Sequence, residues 1–167
     1  MLSVIKAYFC TIMLKTKILL VLFLAVGAFS SCKKENYDPE KQLAADDTLI
    51  KDFIAKNSII AIKHSSGIYY QIITPGTGSV NYTGSTQVTV DYEGRLLNGS
   101  VFDKSKAPAT FSLGGLIVGW QIGIPLIQKG GKIRLLIPST LGYMNQVRTG
   151  IPENSVLDFT IELINAQ

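Results

Sequence analysis

The chain has 167 residues, 47% of them hydrophobic and 17% charged, with 15 glycines, 6 prolines, 2 cysteines and a single histidine. So apolar a composition excludes disorder as a description of the whole chain, and the length holds one ordinary domain plus an appendage. The net charge of +4 is concentrated at the start: Lys6, Lys15 and Lys17 precede Cys32 with no acid beside them, leaving 13 basic and 12 acidic residues after it. Phosphate neutralisation needs many convergent cations, which the near-neutral remainder does not supply, so no nucleic-acid partner is expected.

Residues 18–29 read ILLVLFLAVGAF, a run of twelve apolar or small residues behind Lys15 and Lys17. As a helix it would reach about 18 Å, short of a hydrocarbon core of about 30 Å. A basic flank, a short apolar run and the small residues Ser30 and Ser31 describe a cleaved leader. With Cys32 directly after them, the segment resembles a bacterial lipoprotein signal. That resemblance implies lipidation at Cys32, a membrane anchor, and a place in the cell envelope, with the outer membrane expected. Met13 opens a second signal-like start (MLKTKILL), so residues 1–12 read as an over-long beginning. Cys10 and Cys32 are the only cysteines, and neither belongs to the folded part, so no disulfide framework is expected.

After the leader (1–31), residues 32–65 read as a tether and a helical extension, and 66–167 as the main domain. Asp38-Pro39 is a helix start, with a side-chain acceptor at the cap and proline at the first helical position. Leu43, Ile50, Phe53 and Ile54 then recur at helical spacing, predicting a helix over Pro39–Lys56 that packs on the domain or acts as a spacer. From Ile59 the pattern turns to strands at 59–63 and 68–74, split by Ser65-Ser66-Gly67. Residues 86–93 (TQVTVDYE) alternate, with Val88, Val90 and Tyr92 on one face and Thr89, Asp91 and Glu93 on a solvated one. Asn98-Gly99 predicts a hairpin with a type I′ turn. A short strand at 110–113, a helix of one or two turns at 118–124 stopped near Pro125, and strands at 132–138 and 156–163 complete the chain.

Chemistry-bearing residues are few. His64 stands alone at a turn between Lys63 and Ser65, which leaves no histidine cluster for a metal and no nucleophile elbow for a hydrolase, so no metal and no cofactor are expected. Gly114-Gly115 and Gly130-Gly131 lack the spacing of a phosphate loop. Aromatic residues are frequent instead: Tyr92, Phe102, Phe111, Trp120, Tyr143 and Phe159 each fall near the end of an element.

Residues 88–105 (VTVDYEGRLLNGSVFDKS) resemble the signature of FKBP-type peptidyl-prolyl isomerases. They are followed in order by 109–114 (ATFSLG), 116–138 (LIVGWQIGIPLIQKGGKIRLLIP), 141–143 (LGY) and 150–163 (GIPENSVLDFTIEL). The resemblance implies an α+β fold, an antiparallel sheet of five or six strands curled around one short helix with an apolar pocket between them. It implies a pocket walled by Tyr92, Phe102, Phe111, Leu116, Ile117, Tyr143 and Phe159, floored by Trp120, with Asp103 at the rim. The Ile151 backbone N–H is expected to face a ligand carbonyl. The implied activity is acceleration of X-Pro rotation in proline-containing peptides and unfolded secreted proteins, with a non-catalytic peptide-binding lipoprotein as the alternative. Binding of a proline-mimicking macrolide is implied as well. Two positions depart from the family pattern: Met144 stands where glycine is common, and Asp158 replaces an apolar residue on what alternation makes the outer face.

Overall fold

Helix α1 (Pro39–Lys56) begins where Asp38-Pro39 predicts in the computed structural model, which describes residues 37–167. The leader and Cys32 lie outside the described residues. The Asp38 carboxylate accepts hydrogen bonds from the N–H groups of Glu40 (3.0 Å) and Lys41 (3.2 Å), two donors that the first turn otherwise leaves open. The apolar stripe of α1 docks rather than standing free: Ile50 is fully buried with Tyr69, Leu136 and Val156, and Phe53 and Ile54 pack around them.

The sheet has seven antiparallel strands: β1 (Ile62–Lys63), β2 (Tyr69–Thr74), β3 (Gln87–Leu96), β4 (Val101–Lys104), β5 (Ala109–Ser112), β6 (Lys132–Ile137) and β7 (Leu157–Ala166). Their order is β1-β2-β6-β7-β3-β4, with β5 beside the first half of β3 and β4 beside the second. The strand beyond the five or six that the resemblance implies is the two-residue β1, all that forms of the strand predicted at 59–63, because only Ile62 and Lys63 find partners on β2 (Tyr70 and Tyr69). Alternation does set the inner face elsewhere, where Val88 and Val90 of β3 and Leu157, Phe159, Ile161 and Leu163 of β7 are buried. The short helix α2 (Val118–Gly123) lies on that face. Gly119 and Gly123, one helical turn apart, meet the side chains of Ile137 and Leu135 so closely that a Cβ at either position would overlap them. An open space remains between the start of α2 and residues of β3, β4, β5 and β7.

The β3–β4 hairpin forms, but its turn is not type I′. Only Gly99 has positive φ (+89°), its N–H donating to the Leu96 carbonyl (2.8 Å) while the Leu96 N–H donates to Ser100 (2.9 Å). The geometry is a type I turn closed by a glycine bulge. Asn98 stays out of the left-handed region because its side-chain oxygen accepts from the N–H (2.9 Å) and hydroxyl (2.6 Å) of Ser100. His64 likewise organises a turn, its Nδ1 accepting the Ser66 N–H at 3.1 Å.

Asp158 requires a correction. Alternation does direct it away from α2, but that face is covered by α1, and Asp158 is 5% exposed. It is neutralised by a two-pronged ion pair with Arg134 of the adjacent strand (Nε–Oδ1 2.9 Å, Nη2–Oδ2 2.6 Å), whose guanidinium lies 5.9 Å from the Phe53 ring centre. The departure from the family pattern therefore comes as a matched pair under the N-terminal helix.

Candidate active site

Four aromatic rings meet where β3, β7 and α2 converge. Trp120, 4% exposed at the start of α2, stands edge-on to Tyr92 (centroids 5.1 Å apart, planes at 80°) and to Phe159 (5.1 Å, 86°). Phe102 meets Phe159 edge-on at 5.4 Å. These arrangements set the positive edge of one ring against the negative face of the next. Gly94 of β3 makes the crowding possible, because a Cβ there would lie 2.6 Å from both Phe102 and Phe159.

A cavity of about 180 Å³ opens above this cluster, lined by Tyr92, Asp103, Phe111, Leu116, Ile117, Trp120, Tyr143 and Phe159. Eight of the ten residues singled out in the sequence thus come together although they lie on five separate stretches of chain. Phe102 is placed behind Phe159 and supports the wall instead of forming it. Ile151 is the real exception. Its side chain is buried in the main core, and its N–H already donates to the Arg148 carbonyl at 2.9 Å, closing a turn at Gly150 (φ +75°). That N–H does not face a ligand in this structure.

The buried indole N–H of Trp120 has no partner among the described residues, and two further donors are open. The Tyr143 hydroxyl makes no hydrogen bond to any described residue, and its ring is half-buried with the Arg148 guanidinium 5.8 Å from its centre. The Ile117 N–H, at the residue capping α2, also has no acceptor among the described residues. Sequence motifs named Ile117 for its side chain and overlooked its backbone. The position just before a helix is the available signal, since N–H groups there lack intrahelical partners.

The electrostatics keep the cavity neutral inside and polar at one edge. The Tyr92 hydroxyl donates to Asp103 Oδ2 at 2.8 Å, and burial together with this bond pushes its pKa up to about 12. Burial, reinforced by the Asp103 charge, also raises the Tyr143 pKa, so both phenols keep their protons at neutral pH. Beside the rim, Met144 occupies the left-handed region (φ +56°), with its N–H donating to the Ser139 carbonyl at 2.8 Å. Glycine would hold that conformation at a cost lower by about 1 kcal/mol, which is the physical content of the departure at this position.

A second depression, of about 250 Å³, lies on the opposite face of β3 and β7. Its charges are already paired, Lys104 with Glu93 (3.1 Å) and Lys132 with Glu162 (3.4 Å), and Asp91 accepts from the Ser105 hydroxyl. Its lining is charged and polar with no ring wall apart from the edge of Tyr92, so the aromatic cavity is the site the chemistry favours.

The family described as FKBP-type peptidyl-prolyl cis-trans isomerase matches residues 78–164. The chain is similar to the FKBP-type peptidyl-prolyl cis-trans isomerase FkpA of Buchnera aphidicola, 45% identical over 106 residues (62% of this chain, 42% of that protein), and to FkpA of Escherichia coli, 42% identical over 106 residues (62% and 39%). It therefore spans about two fifths of the length of these curated relatives. Among solved structures it is similar to FkpA from Escherichia coli (TM-score 0.66, 33% identity, covering 91% of this chain and 71% of that one). It is also similar to a peptidyl-prolyl cis-trans isomerase from Pseudomonas syringae (TM-score 0.64, 32% identity, covering 79% and 98%). Strands β3–β6, nearly all of β7, the short helix laid against them and the aromatic cavity fall within the matched segment, and the chain belongs to the FKBP-type peptidyl-prolyl cis-trans isomerase family.

Proposed function

We propose that this protein accelerates cis-trans rotation of X-Pro bonds in proline-containing peptides and unfolded proteins. The observation that carries the proposal is an aromatic-lined cavity, of a size to take a prolyl ring, with an unengaged hydroxyl at its rim. The uncatalysed rotation is opposed by about 18–20 kcal/mol because the twisted C–N bond loses its resonance. No bond to carbon is made or broken, so the work required is preferential binding of the twisted amide. Tyr92, Phe111, Ile117, Trp120 and Phe159 would hold the ring in a place that disfavours the dipolar planar amide. The Tyr143 hydroxyl, in place of the Ile151 N–H, would hold the carbonyl preceding proline, with the Ile117 N–H a second donor for a neighbouring carbonyl. Asp103 keeps the Tyr92 ring in position through the hydroxyl it accepts.

A protease-coupled assay on X-Pro peptides tests this. Tyr143→Phe is expected to lower kcat/KM about tenfold, equivalent to 1.4 kcal/mol of transition-state stabilisation, with its melting temperature little changed. Wild-type protein that binds peptide without accelerating rotation would leave only the peptide-holding alternative. A titration with a proline-mimicking macrolide, read by the fluorescence of Trp120, reports on the open cavity separately from turnover.

We further propose that residues 1–31 are removed and that Cys32 carries a lipid anchoring the protein in the bacterial envelope, with 33–38 as tether. The support is the short apolar run ending at Ser31-Cys32. Among the described residues no helix is long and apolar enough to cross a membrane. In a Gram-negative host, wild-type protein should fractionate with membranes and incorporate labelled acyl chains, and Cys32→Ser should do neither. Equal acyl labelling of both would dismiss the anchor.

A further inference from the structure

We propose that Asp46 of α1 is a positioning residue for the aromatic site, holding Tyr143 at the cavity rim through Ser139; this rests on the isomerase function proposed above. Asp46 is 0% exposed. It occupies the apolar stripe of α1, one turn after Leu43 and one before Ile50, where an aliphatic side chain would be buried with far less desolvation. A carboxylate is kept in such a place only when its hydrogen bonds are made.

They are made toward the site. Asp46 Oδ2 accepts both the Ser139 N–H (2.7 Å) and the Ser139 hydroxyl (2.6 Å), and Oδ1 accepts the Gln42 side-chain amide (2.8 Å). Ser139, itself fully buried, then accepts at its carbonyl from the N–H groups of Gly142 (2.9 Å) and Met144 (2.8 Å). Those two amides flank Tyr143. Hydrogen bonds joined through the Ser139 backbone therefore link the N-terminal helix to the amides on either side of Tyr143, the residue whose hydroxyl is open at the rim. Charge-assisted bonds to a carboxylate are the stronger kind, and misplacing a reacting group by about 1 Å is costly in rate.

Asp46 is not the only attachment of α1. Ile50, Phe53 and Ile54 supply apolar contact, and Asp47 accepts from the Tyr69 hydroxyl (2.8 Å) while pairing with Lys63 (2.6 Å) on the β1–β2 side. Asp46 alone of these is directed at the turn preceding Tyr143.

The test is a double-mutant cycle in the full-length protein. Asp46→Asn keeps the shape and removes the charge. It should lower kcat/KM on X-Pro peptides about fivefold in the wild-type background and by less than about 1.5-fold in the Tyr143→Phe background, where the positioned hydroxyl is gone. The amide resonances of Gly142 and Met144 should shift in Asp46→Asn. Equal losses in both backgrounds, or a folded Asp46→Asn with wild-type kcat/KM, would overturn the proposal. Should Asp46→Asn not fold, Ser139→Ala carries the same comparison, since it deletes the hydroxyl bond and keeps the N–H bond. If the wild type shows no acceleration, the isomerase function falls on its own. The amide resonances then decide the positioning role, with unchanged Gly142 and Met144 signals overturning it.

Discussion

Truncation of Phe159 to alanine is expected to destabilise the protein by about 3–5 kcal/mol and to remove isomerase activity from whatever fraction remains folded. The ring is 3% exposed and makes edge-on contacts with Trp120 and Phe102, so its loss opens a void between β7, β3 and α2. Those neighbours cannot collapse into the void freely. Gly94 offers no side chain to fill it, and Gly119 and Gly123 already hold α2 against Ile137 and Leu135. Phe159 also lines the cavity, so stability and activity should fall together, unlike the pattern expected for Tyr143→Phe. Denaturant unfolding beside kcat/KM measures both. A loss below about 1 kcal/mol would show that the aromatic cluster is loosely packed and that the cavity walls are not preorganised.

The second large effect is expected on the opposite face. Asp158→Ala leaves the Arg134 guanidinium partly buried under α1 without its carboxylate, which should cost about 3 kcal/mol, the lower part of the range for such pairs because the Arg134 side chain remains 28% exposed. Replacing both, as Arg134→Met with Asp158→Leu, should recover most of that loss, since the desolvation of two charges is then avoided. The urea midpoints of wild type, single and double variants make the comparison. Activity per folded molecule should stay near wild type in all of them, because the pair lies across the sheet from the cavity. A double variant as unstable as the single one would mean that the pair does more than neutralise itself.

Local patterns were sufficient for much of the architecture. Asp38-Pro39 and the stripe from Leu43 to Ile54 are enough for α1, because a cap and an apolar face act within a few residues. The alternation at Val88, Val90 and Tyr92 is enough for β3, because strand period and burial coincide. Ordered motifs were enough to gather Tyr92, Phe111, Leu116, Ile117, Trp120, Tyr143 and Phe159 as one pocket. Where a single residue has two possible partners, local pattern loses its hold. Asn98-Gly99 signals a hairpin, yet the competition between its side chain and the backbone chose the turn. Nothing along the chain sets Asp46 apart from Asp47 beside it, because its partner Ser139 lies 93 residues away.

Residue order and periodicity carry the order of elements, the inner face of the sheet and the family. The tertiary structure alone decided that Asp158 is buried against Arg134, that the Ile151 N–H is spent on Arg148, that the Tyr143 and Ile117 donors are left open, and that α1 reaches the site through Asp46. The division follows from the physics. Helix caps and strand alternation depend on neighbours along the chain, whereas the satisfaction of a buried polar group depends on which distant segment the fold brings within about 3 Å of it.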